Sequence, residues 1–478
     1  MNRNNTVARQ QRARTARLRW DGAKHRRCRD RRRPGLTTAL LLARSGRRVT
    51  VLEARSIGAV TTGNTTAKIS LLQGTRLSDI LAHHSADVAD AYLQANDEGK
   101  AWLERYCGEH GVDVQIRDAF SYASTGRGLP AVEREYEAGR RSGPDVELVE
   151  ALAVSFPHVG AVQLSDQAQF NPMKALRTLA SDLLKHGGRI HEGVRALDVD
   201  AGKPCRIRTT ISADNVILAT GTPFLDRGLY FAKLEPERSY APAFSVPGLE
   251  PTDMYLSVDA PTRSVRSAPT AEGEVLLIGG NGHPVGLSKS PREHAEDLDA
   301  WAKVHYPGAA ATHSWSAQDD HIPFVGKLPR GRGRVYLATG YGKWRRTNAV
   351  AAAIRISTEI LDGNLSSAKP IAHRVTRPRV AARGAWTNIE VGAELAKRWF
   401  GTGFDNTRSE GEGTTGRIGL KPVAVSTVDG ATCRLSAVCT HLVESSAGMM
   451  TKRLGIALST APVSTQTEPC SKARQPRR

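Results

Sequence analysis

The 478-residue sequence predicts a mixed α/β fold: a parallel sheet flanked by helices, an inserted and mostly antiparallel domain, and a small C-terminal β domain. Two observations predict it. Along residues 35–363, segments with helical spacing of apolar residues alternate with short β-branched strands, which is typical of parallel α/β sheets. From Thr414 onward, short β segments are joined by Asp429–Gly430, a pair typical of hairpin turns.

The clearest elements are the first helix and the strand after it, in GLTTALLLARSGRRVTVLEAR. Gly35 begins a helix with an apolar face, Gly46 ends it, and Arg48–Leu52 is a short strand followed by Glu53. Glu53 lies 18 residues after Gly35. A dinucleotide-binding βαβ unit has its ribose-binding carboxylate there, with Gly35 as the third glycine of G-x-G-x-x-G. The alternative is an ordinary carboxylate at the end of a strand.

The remaining elements follow from periodicity, capping residues and glycine pairs. Asn171–Pro172 supplies an N-cap and a first-turn proline for one of the helices. Helices are predicted within Ala86–Gly111, Phe120–Ala151, Gln169–Asp200, Pro291–His305, Thr347–Leu361 and Trp386–Phe400. Strands are predicted over Asn215–Leu218, Glu274–Gly279 and Arg334–Thr339.

The segment His25–Pro34, HRRCRDRRRP, conflicts with this scheme because it stands where a buried strand and its glycine loop are expected. Six arginines in ten positions are not expected to form a central parallel strand, since their charges would be buried unpaired. Permitted codons for His25–Arg33, read one base out of register, give TDVVVIGAG, the missing strand and first two glycines. We therefore hypothesise a reading-frame error and expect residues 1–33 to be disordered or poorly packed.

The net charge of +19 is concentrated at the two ends of the chain. Residues 1–34 hold 13 Lys and Arg against two Asp, and residues 443–478 hold six against two Glu. A nucleic-acid-binding protein carries its basic residues on a folded face, interleaved with aromatic or polar readers, and neither end has that pattern. Disordered basic tails are the favoured interpretation, and a nucleic-acid partner is not expected.

Apolar patterning and cysteine usage indicate the compartment. No window approaches 18 uncharged apolar residues, and the N-terminus has no apolar signal core, so no membrane span is expected. The six cysteines are scattered without a disulfide framework, which fits a reducing compartment. We expect a cytoplasmic protein.

Four segments match a known family in order and spacing. Over about residues 35–363 the chain resembles FAD-dependent oxidoreductases of the D-amino-acid oxidase and glycine oxidase type. The matching segments are GLTTALLLARSGRRVTVLEAR, TTGNTTAKIS, VILATGTP, and HIPFVGKLP together with YLATGYGKW. The resemblance implies a Rossmann-like FAD-binding domain within residues 34–376, built from about 34–80, 165–225 and 310–363, with the substrate domain in between. It also implies FAD as cofactor and a small-molecule substrate such as an amine.

The family also implies roles for individual residues, although it assigns no catalytic side chain. The expected cofactor-binding residues are Gly35, Glu53, Ala54 and Arg55 at the ADP-ribose, Val194 at the adenine, Thr66, Ala67 and Lys68 near the flavin, Ala219, Thr220 and Gly221 beneath the cofactor, and Gly340, Gly342, Lys343 and Trp344 against the ring. Lys68 would stabilise the anionic reduced flavin. The alternatives are a solvated lysine for Lys68 and simple packing for Trp344. Arg345 and Arg346 either bind a substrate carboxylate or are another sequence anomaly.

The C-terminal β segment resembles a Rieske iron–sulfur domain through VCTHL at Val438–Leu442. Such domains bind a [2Fe–2S] cluster with a C-x-H pair and a later C-x-x-H pair. Cys439 and His441 form the first pair, and no histidine follows His441, so we expect the cluster of the relatives to be absent here. Leu454–Ser471 read out of register gives WDCPLHGSRFDTDGTVL, which resembles the second ligand loop.

Together these features predict the organisation and the function. Residues 377–405 are expected to be a linker and helix, 406–442 a partial Rieske-like domain, and 443–478 a disordered tail. The predicted function is FAD-dependent oxidation of an amine or related small molecule, with electron transfer linked to an iron–sulfur domain and an electron carrier as a further partner. The main alternative is a non-catalytic remnant of a frameshifted gene, and a basic nucleic-acid-binding protein is less favoured.

Overall fold

The computed structural model describes residues 27–30, 33–59, 65–207, 211–221, 223–225, 227–228, 230, 234, 237–250, 252–270, 272–284, 291–313, 316–319, 323–342, 344–365, 370–371, 413–418, 421–428 and 431–436. Its helices are α1 (Arg33–Arg44), α2 (Arg76–His83), α3 (Ala86–Glu109), α4 (Leu129–Ser142), α5 (Pro172–Lys185), α6 (Pro291–His305) and α7 (Arg345–Ile360). Within these described ranges, no helix is both long and apolar enough to cross a membrane.

The strands divide into three groups along the chain. The first are β1 (Arg27–Asp30), β2 (Thr50–Leu52), β3 (Lys68–Ile69), β4 (Val114–Ala123), β5 (Val146–Val149), β6 (Gly160–Phe170), β7 (Arg189–His191), β8 (Val199–Asp200), β9 (Cys205–Ile207), β10 (Ile211–Ala213) and β11 (Asn215–Leu218). The next are β12 (Glu237–Tyr240), β13 (Ala243–Ser245), β14 (Met254–Ser257), β15 (Arg263–Thr270), β16 (Gly273–Pro284), β17 (Ala310–His313), β18 (Ser316–Asp319), β19 (Phe324–Lys327) and β20 (Val335–Thr339). The last are β21 (Gly413–Ile418), β22 (Lys421–Val428) and β23 (Ala431–Ser436).

The first of the two large sheets has six strands, in the order β19-β20-β11-β1-β2-β7. Its strands are parallel apart from the antiparallel pair of β19 and β20. Apolar side chains of α1, α5 and α7 fill one face, and the small antiparallel sheet β8–β10 covers the other. This is the three-layer arrangement that alternating helices and buried strands predict.

The arginine-rich segment supplies the central strand of this sheet, so our expectation that it would be excluded is wrong for Arg27–Asp30. β1 lies between β11 and β2, with Arg29 opposite Ile217 on one side and Val51 on the other. The physical reason is that ladder hydrogen bonds join backbone groups and do not depend on the side chains. This segment therefore forms the strand between β11 and β2, because both neighbours offer backbone groups with which it can pair.

The second large sheet has eleven strands, and its main path is β17-β13-β16-β15-β14-β4-β6-β3. Its pairs are antiparallel except for the parallel pair of β14 and β4. Phe156, Tyr255 and Trp301 belong to an aromatic core between this sheet and α6. The predicted helix Phe120–Ala151 is only partly correct, because α4 is preceded by the end of β4 and followed by β5, which pairs with β6.

Local signals place several other elements well. The Asn171 side chain accepts hydrogen bonds from the backbone N–H groups of Met173 and Lys174, as its predicted N-cap role requires. β22 and β23 pair with Val428 opposite Ala431, the register of a two-residue hairpin connection. The predicted helix Trp386–Phe400 and the pair Cys439 and His441 lie outside the described residues.

Candidate functional site

The carboxyl ends of β2 and β7 meet at Glu53, which is 8% exposed. The Val194 N–H donates to the Glu53 carbonyl oxygen at 2.7 Å, and the Arg55 N–H donates to Glu53 Oε1 at 2.8 Å. Ligands in open α/β sheets bind beyond the carboxyl ends of the strands. The structure thus brings Val194, predicted at the adenine, next to Glu53, Ala54 and Arg55, predicted together at the ADP-ribose.

The first two turns of α1 contain Gly35 and two fully buried threonines, Thr37 and Thr38. Among the described residues, no partner lies within hydrogen-bond distance of the Thr37 hydroxyl. A buried, unpaired hydroxyl near the N-terminus of a helix is suited to an anionic ligand, since the helix dipole also favours negative charge at that end. Counting back from Gly35, the first two glycines of G-x-G-x-x-G would stand at positions 30 and 32, where the sequence has Asp30 and Arg32.

Two of the predicted segments meet at the end of β20. The Thr339 hydroxyl donates to the Gly221 carbonyl oxygen, which joins Ala219–Gly221 to the segment that follows β20. Gly340 and Gly342 have φ values of 73° and 53°, in the left-handed region that favours glycine. Trp344 is partly buried at the start of α7, and Lys343 lies outside the described residues.

Lys68 begins β3 at the edge of the eleven-stranded sheet, next to Thr66 and Ala67, and is only 7% exposed. Its Nζ donates to the Tyr255 carbonyl oxygen at 2.6 Å. Burial lowers the pKa of Lys68 well below its usual value, and the charge of Arg266 lowers it further. The solvated-lysine alternative is therefore wrong, because the Lys68 side chain is buried against the eleven-stranded sheet.

Arg266 and Gln169 share an acceptor beside this lysine. Arg266 Nη1 and Gln169 Nε2 each donate to the Ser267 carbonyl oxygen at 3.0 Å, and both side chains are buried. Gln169 also lies opposite Lys68 in the β3–β6 pairing. Burial lowers the pKa of Arg266, while the charge of Glu274 opposes that shift. The sheet therefore buries two cationic side chains close to the segment containing Thr66.

Arg346 is also buried, at 3% exposure, in the first turn of α7. Its guanidinium carbon lies 5.8 Å from the centre of the Phe170 ring, a cation–π distance. A positive charge in the first turn opposes the helix dipole, so this contact offsets part of an unfavourable placement. Arg345 is the first residue of the same helix.

A buried polar network behind Gly340–Trp344 was missed by the sequence analysis. It connects α3 and α7 through side chains that are at most 6% exposed: Gln73, Tyr92, Asn96, Thr347 and Asn348. The signal was a polar residue at a core-facing helical position, since Asn96 follows Tyr92 by one turn on the buried face of α3. Arg266 and Gln169 carried no comparable signal, because charged and amide side chains in strands are usually exposed.

The predicted iron ligands receive no structural support. Cys439 and His441 lie outside the described residues. In the part of the chain that the structure describes, no group of three or more His, Cys, Asp or Glu side chains could hold a metal ion. With one pair of ligands in the sequence after residue 438, the residues do not fit a two-iron cluster.

The parallel sheet, the carboxylate after β2 and the helix terminus beside it define a dinucleotide-binding oxidoreductase fold. A family model described as FAD dependent oxidoreductase (DAO) matches residues 35–357. The chain belongs to this family of FAD-dependent oxidoreductases. The family and the fold class predicted from the sequence are confirmed.

Individual relatives agree with this assignment. The Bacillus subtilis (strain 168) protein named "Putative Rieske 2Fe-2S iron-sulfur protein YhfW" is 30% identical over 335 residues, which are 68% of this chain and 66% of the relative. The match therefore spans slightly less than two thirds of that protein. Glycine oxidase from Geobacillus kaustophilus has a TM-score of 0.61 at 18% identity, covering 72% of this chain and 95% of its own. L-Proline dehydrogenase from P. horikoshii has a TM-score of 0.58 at 16% identity, with coverages of 72% and 95%. These two likenesses concern the fold alone.

Proposed function

We propose that this FAD-dependent oxidoreductase oxidises the carbon–nitrogen bond of a small amine that carries an anionic group. The observation that carries the proposal is the buried pair of Lys68 and Arg266 on the substrate-side sheet. Burying two cations side by side is costly unless a negative charge compensates them. In addition to Glu274, an anionic group of the substrate would supply that charge at Arg266, and the anionic reduced cofactor would supply it at Lys68.

FAD, when bound, supplies the acceptor for the hydride that leaves the carbon beside the nitrogen. Glu53 would accept hydrogen bonds from the ribose hydroxyls, and the N-terminal end of α1 would bind the pyrophosphate through its N–H groups and the Thr37 hydroxyl. The backbone at Gly221 and Gly342 would approach the ring system, because residues without a β-carbon leave room for it.

The names of related structures support an amine substrate. Glycine oxidase and the L-amino acid deaminase of Proteus vulgaris share this fold, the latter with a TM-score of 0.58 at 13% identity and coverages of 74% of this chain and 97% of its own. Both names refer to amino acids, in which an amine and a carboxylate occur together. A carboxylate of such a substrate would pair with the buried guanidinium of Arg266.

The electron acceptor is proposed to be a separate carrier. The Rieske relation rests on the name of the Bacillus relative and on the VCTHL segment, and Cys439 and His441 are only half of a ligand set. No electron-transfer step within this chain is therefore assigned to an iron–sulfur cluster.

A second candidate is a non-catalytic remnant, which the sequence of β1 favours. The arginine-rich strand and its two-residue connection to α1 stand where family members are expected to have an apolar strand and glycine loop. Loss of the loop N–H groups would weaken pyrophosphate binding.

The absorbance spectrum of the purified protein separates the two candidates. A flavin spectrum is expected for the enzyme, and colourless protein that does not bind added FAD is expected for the remnant. With FAD bound, an amino acid should bleach the flavin anaerobically at a lower concentration than the amine lacking its carboxylate. Equal concentrations would contradict the proposed role of Arg266, and no bleaching by any amine would overturn the proposed function.

A further inference from the structure

The backbone of Tyr341–Trp344 is held by side chains from two other segments of the chain. Asn348 Nδ2 donates to the carbonyl oxygen of Trp344 at 3.0 Å and lies 3.5 Å from that of Tyr341. Arg76 Nη2, from α2, donates to the Gly342 carbonyl oxygen at 3.2 Å. Three carbonyl groups in four residues thus face protein donors.

The orientation of the Asn348 amide is fixed by Asn96. Asn96 Nδ2 donates to the Tyr92 carbonyl oxygen at 2.9 Å, a group that only accepts, so the NH₂ end of Asn96 is determined. The same NH₂ donates to Asn348 Oδ1 at 3.1 Å, which leaves Asn348 Nδ2 facing Trp344 and the Tyr92 hydroxyl. The amide cannot be flipped without placing two donors against each other.

The network continues to Gln73, just after β3. The Tyr92 hydroxyl donates to Gln73 Oε1 at 2.6 Å, and Gln73 Nε2 donates to the Ser70 carbonyl oxygen at 3.0 Å. Burial raises the pKa of Tyr92, so its hydroxyl remains a proton donor at neutral pH. The two segments assigned to the flavin side, around Lys68 and around Gly342, are thereby connected through one set of buried hydrogen bonds.

We propose that Asn348 is a positioning residue, oriented by Asn96, that together with Arg76 fixes the backbone at Tyr341, Gly342 and Trp344 against the flavin site. The proposal rests on the proposed function in one respect, namely that this segment faces FAD. Held carbonyl groups set the peptide planes, and the peptide planes set where the remaining N–H groups of the segment point. Cofactor geometry would then depend on residues that need not touch the cofactor.

The test compares Asn348→Asp and Asn348→Ala with Ser357→Ala. Asn348→Asp keeps the shape and the Asn96 contact but turns a carboxylate oxygen toward two carbonyl oxygens. Ser357 is a buried residue of the same helix whose hydroxyl donates only locally, to the Ile354 carbonyl oxygen at 3.0 Å, so its variant controls for disturbing α7. Limited trypsin digestion with mass spectrometry measures opening of the segment, since Lys343, Arg345 and Arg346 are cleavage sites.

Cleavage at these sites is expected to be about tenfold faster in Asn348→Asp, because local opening scales with the lost hydrogen bonds. Ser357→Ala should match the unchanged protein. Where FAD binds, the shape of the flavin absorption band should change in Asn348→Asp and not in Ser357→Ala. Equal cleavage in all variants, or a normal flavin band in Asn348→Asp, overturns the proposal. Faster cleavage in Asn348→Asp with no FAD binding by any variant supports the positioning role of Asn348 and counts against the proposed function.

Discussion

Asp182, in α5, contacts residues at the ends of α1 and α3, and replacing it tests how these three helices are held together. Its side chain is 9% exposed and accepts from Arg44 Nη2 at 2.6 Å and from the Tyr106 hydroxyl at 3.2 Å, while His110 Nε2 lies 3.4 Å away. Arg44 ends α1, so this carboxylate anchors the helix that carries Gly35. Asp182→Asn keeps the shape of this side chain and removes its charge.

The expected cost follows from the number of charge-assisted hydrogen bonds. A hydrogen bond to a charged group is worth about 1.5–3 kcal/mol and a neutral one about 0.5–1.5 kcal/mol. Arg44 and Tyr106 both donate to Oδ2, so asparagine can keep both bonds but loses the charge, and Asp182→Asn should lower the free energy of unfolding by roughly 2–3 kcal/mol. For a domain of this size the melting temperature should fall by about 5–10 °C. Differential scanning calorimetry at neutral pH measures that shift.

The control is Asp299→Asn. Asp299 pairs with Lys303 at 2.7 Å, but these side chains are 32% and 60% exposed. An exposed pair one helical turn apart contributes about 0.5 kcal/mol or less, so the control should melt within roughly 1–2 °C of the unchanged protein. Equal shifts in the two variants would refute the reasoning, because burial of Asp182 would then add nothing.

Three further predictions concern titrating residues and the first strand. Burial lowers the pKa of Lys68, so the unchanged protein should lose stability relative to Lys68→Met as the pH falls below about 10.4 toward the lowered pKa; a constant difference in melting temperature would contradict this. Glu135 accepts from the N–H groups of Leu77 and Ser78, and burial raises its pKa, so the unchanged protein should lose stability relative to Glu135→Gln as the pH rises from about 4.3 through that pKa. Thermal melts across the pH range decide, and the opposite slope would show that those hydrogen bonds outweigh burial. Replacing residues 26–35 with VVVIGAGIAG, which restores G-x-G-x-x-G before Leu36, should raise the flavin-to-protein absorbance ratio, whereas one FAD per chain in the unchanged protein would show that the arginine-rich segment suffices.

Much of the parallel layer could be predicted from the sequence because its signals are local. The apolar face of α1, the cap at Asn171 and the buried strand β11 each depend on a few neighbouring residues. β1 could not be predicted as a strand, because its position is set by the two strands beside it and not by its own side chains.

The candidate site was predictable as separate segments, whereas their contacts were not. Lys68 and Thr66 stand in a recognisable segment, but Tyr255, which accepts from Lys68, lies 187 residues away. Asn348 and Asn96 are 252 residues apart, and neither is unusual in its own helix. Contacts over such distances depend on the register and curvature of whole sheets, which periodicity does not specify.

The course of the chain between the two large sheets has a mechanical consequence. It passes from β2 to β3, from β6 to β7, from β11 to β12 and from β18 to β19, so four connections link the two sheets. Two parts of a protein rotate about a hinge most easily when one or two chain connections join them. Four connections at different places therefore oppose rotation of one sheet against the other, and a cut between β6 and β7 or between β11 and β12 would leave neither sheet with all of its strands on one fragment.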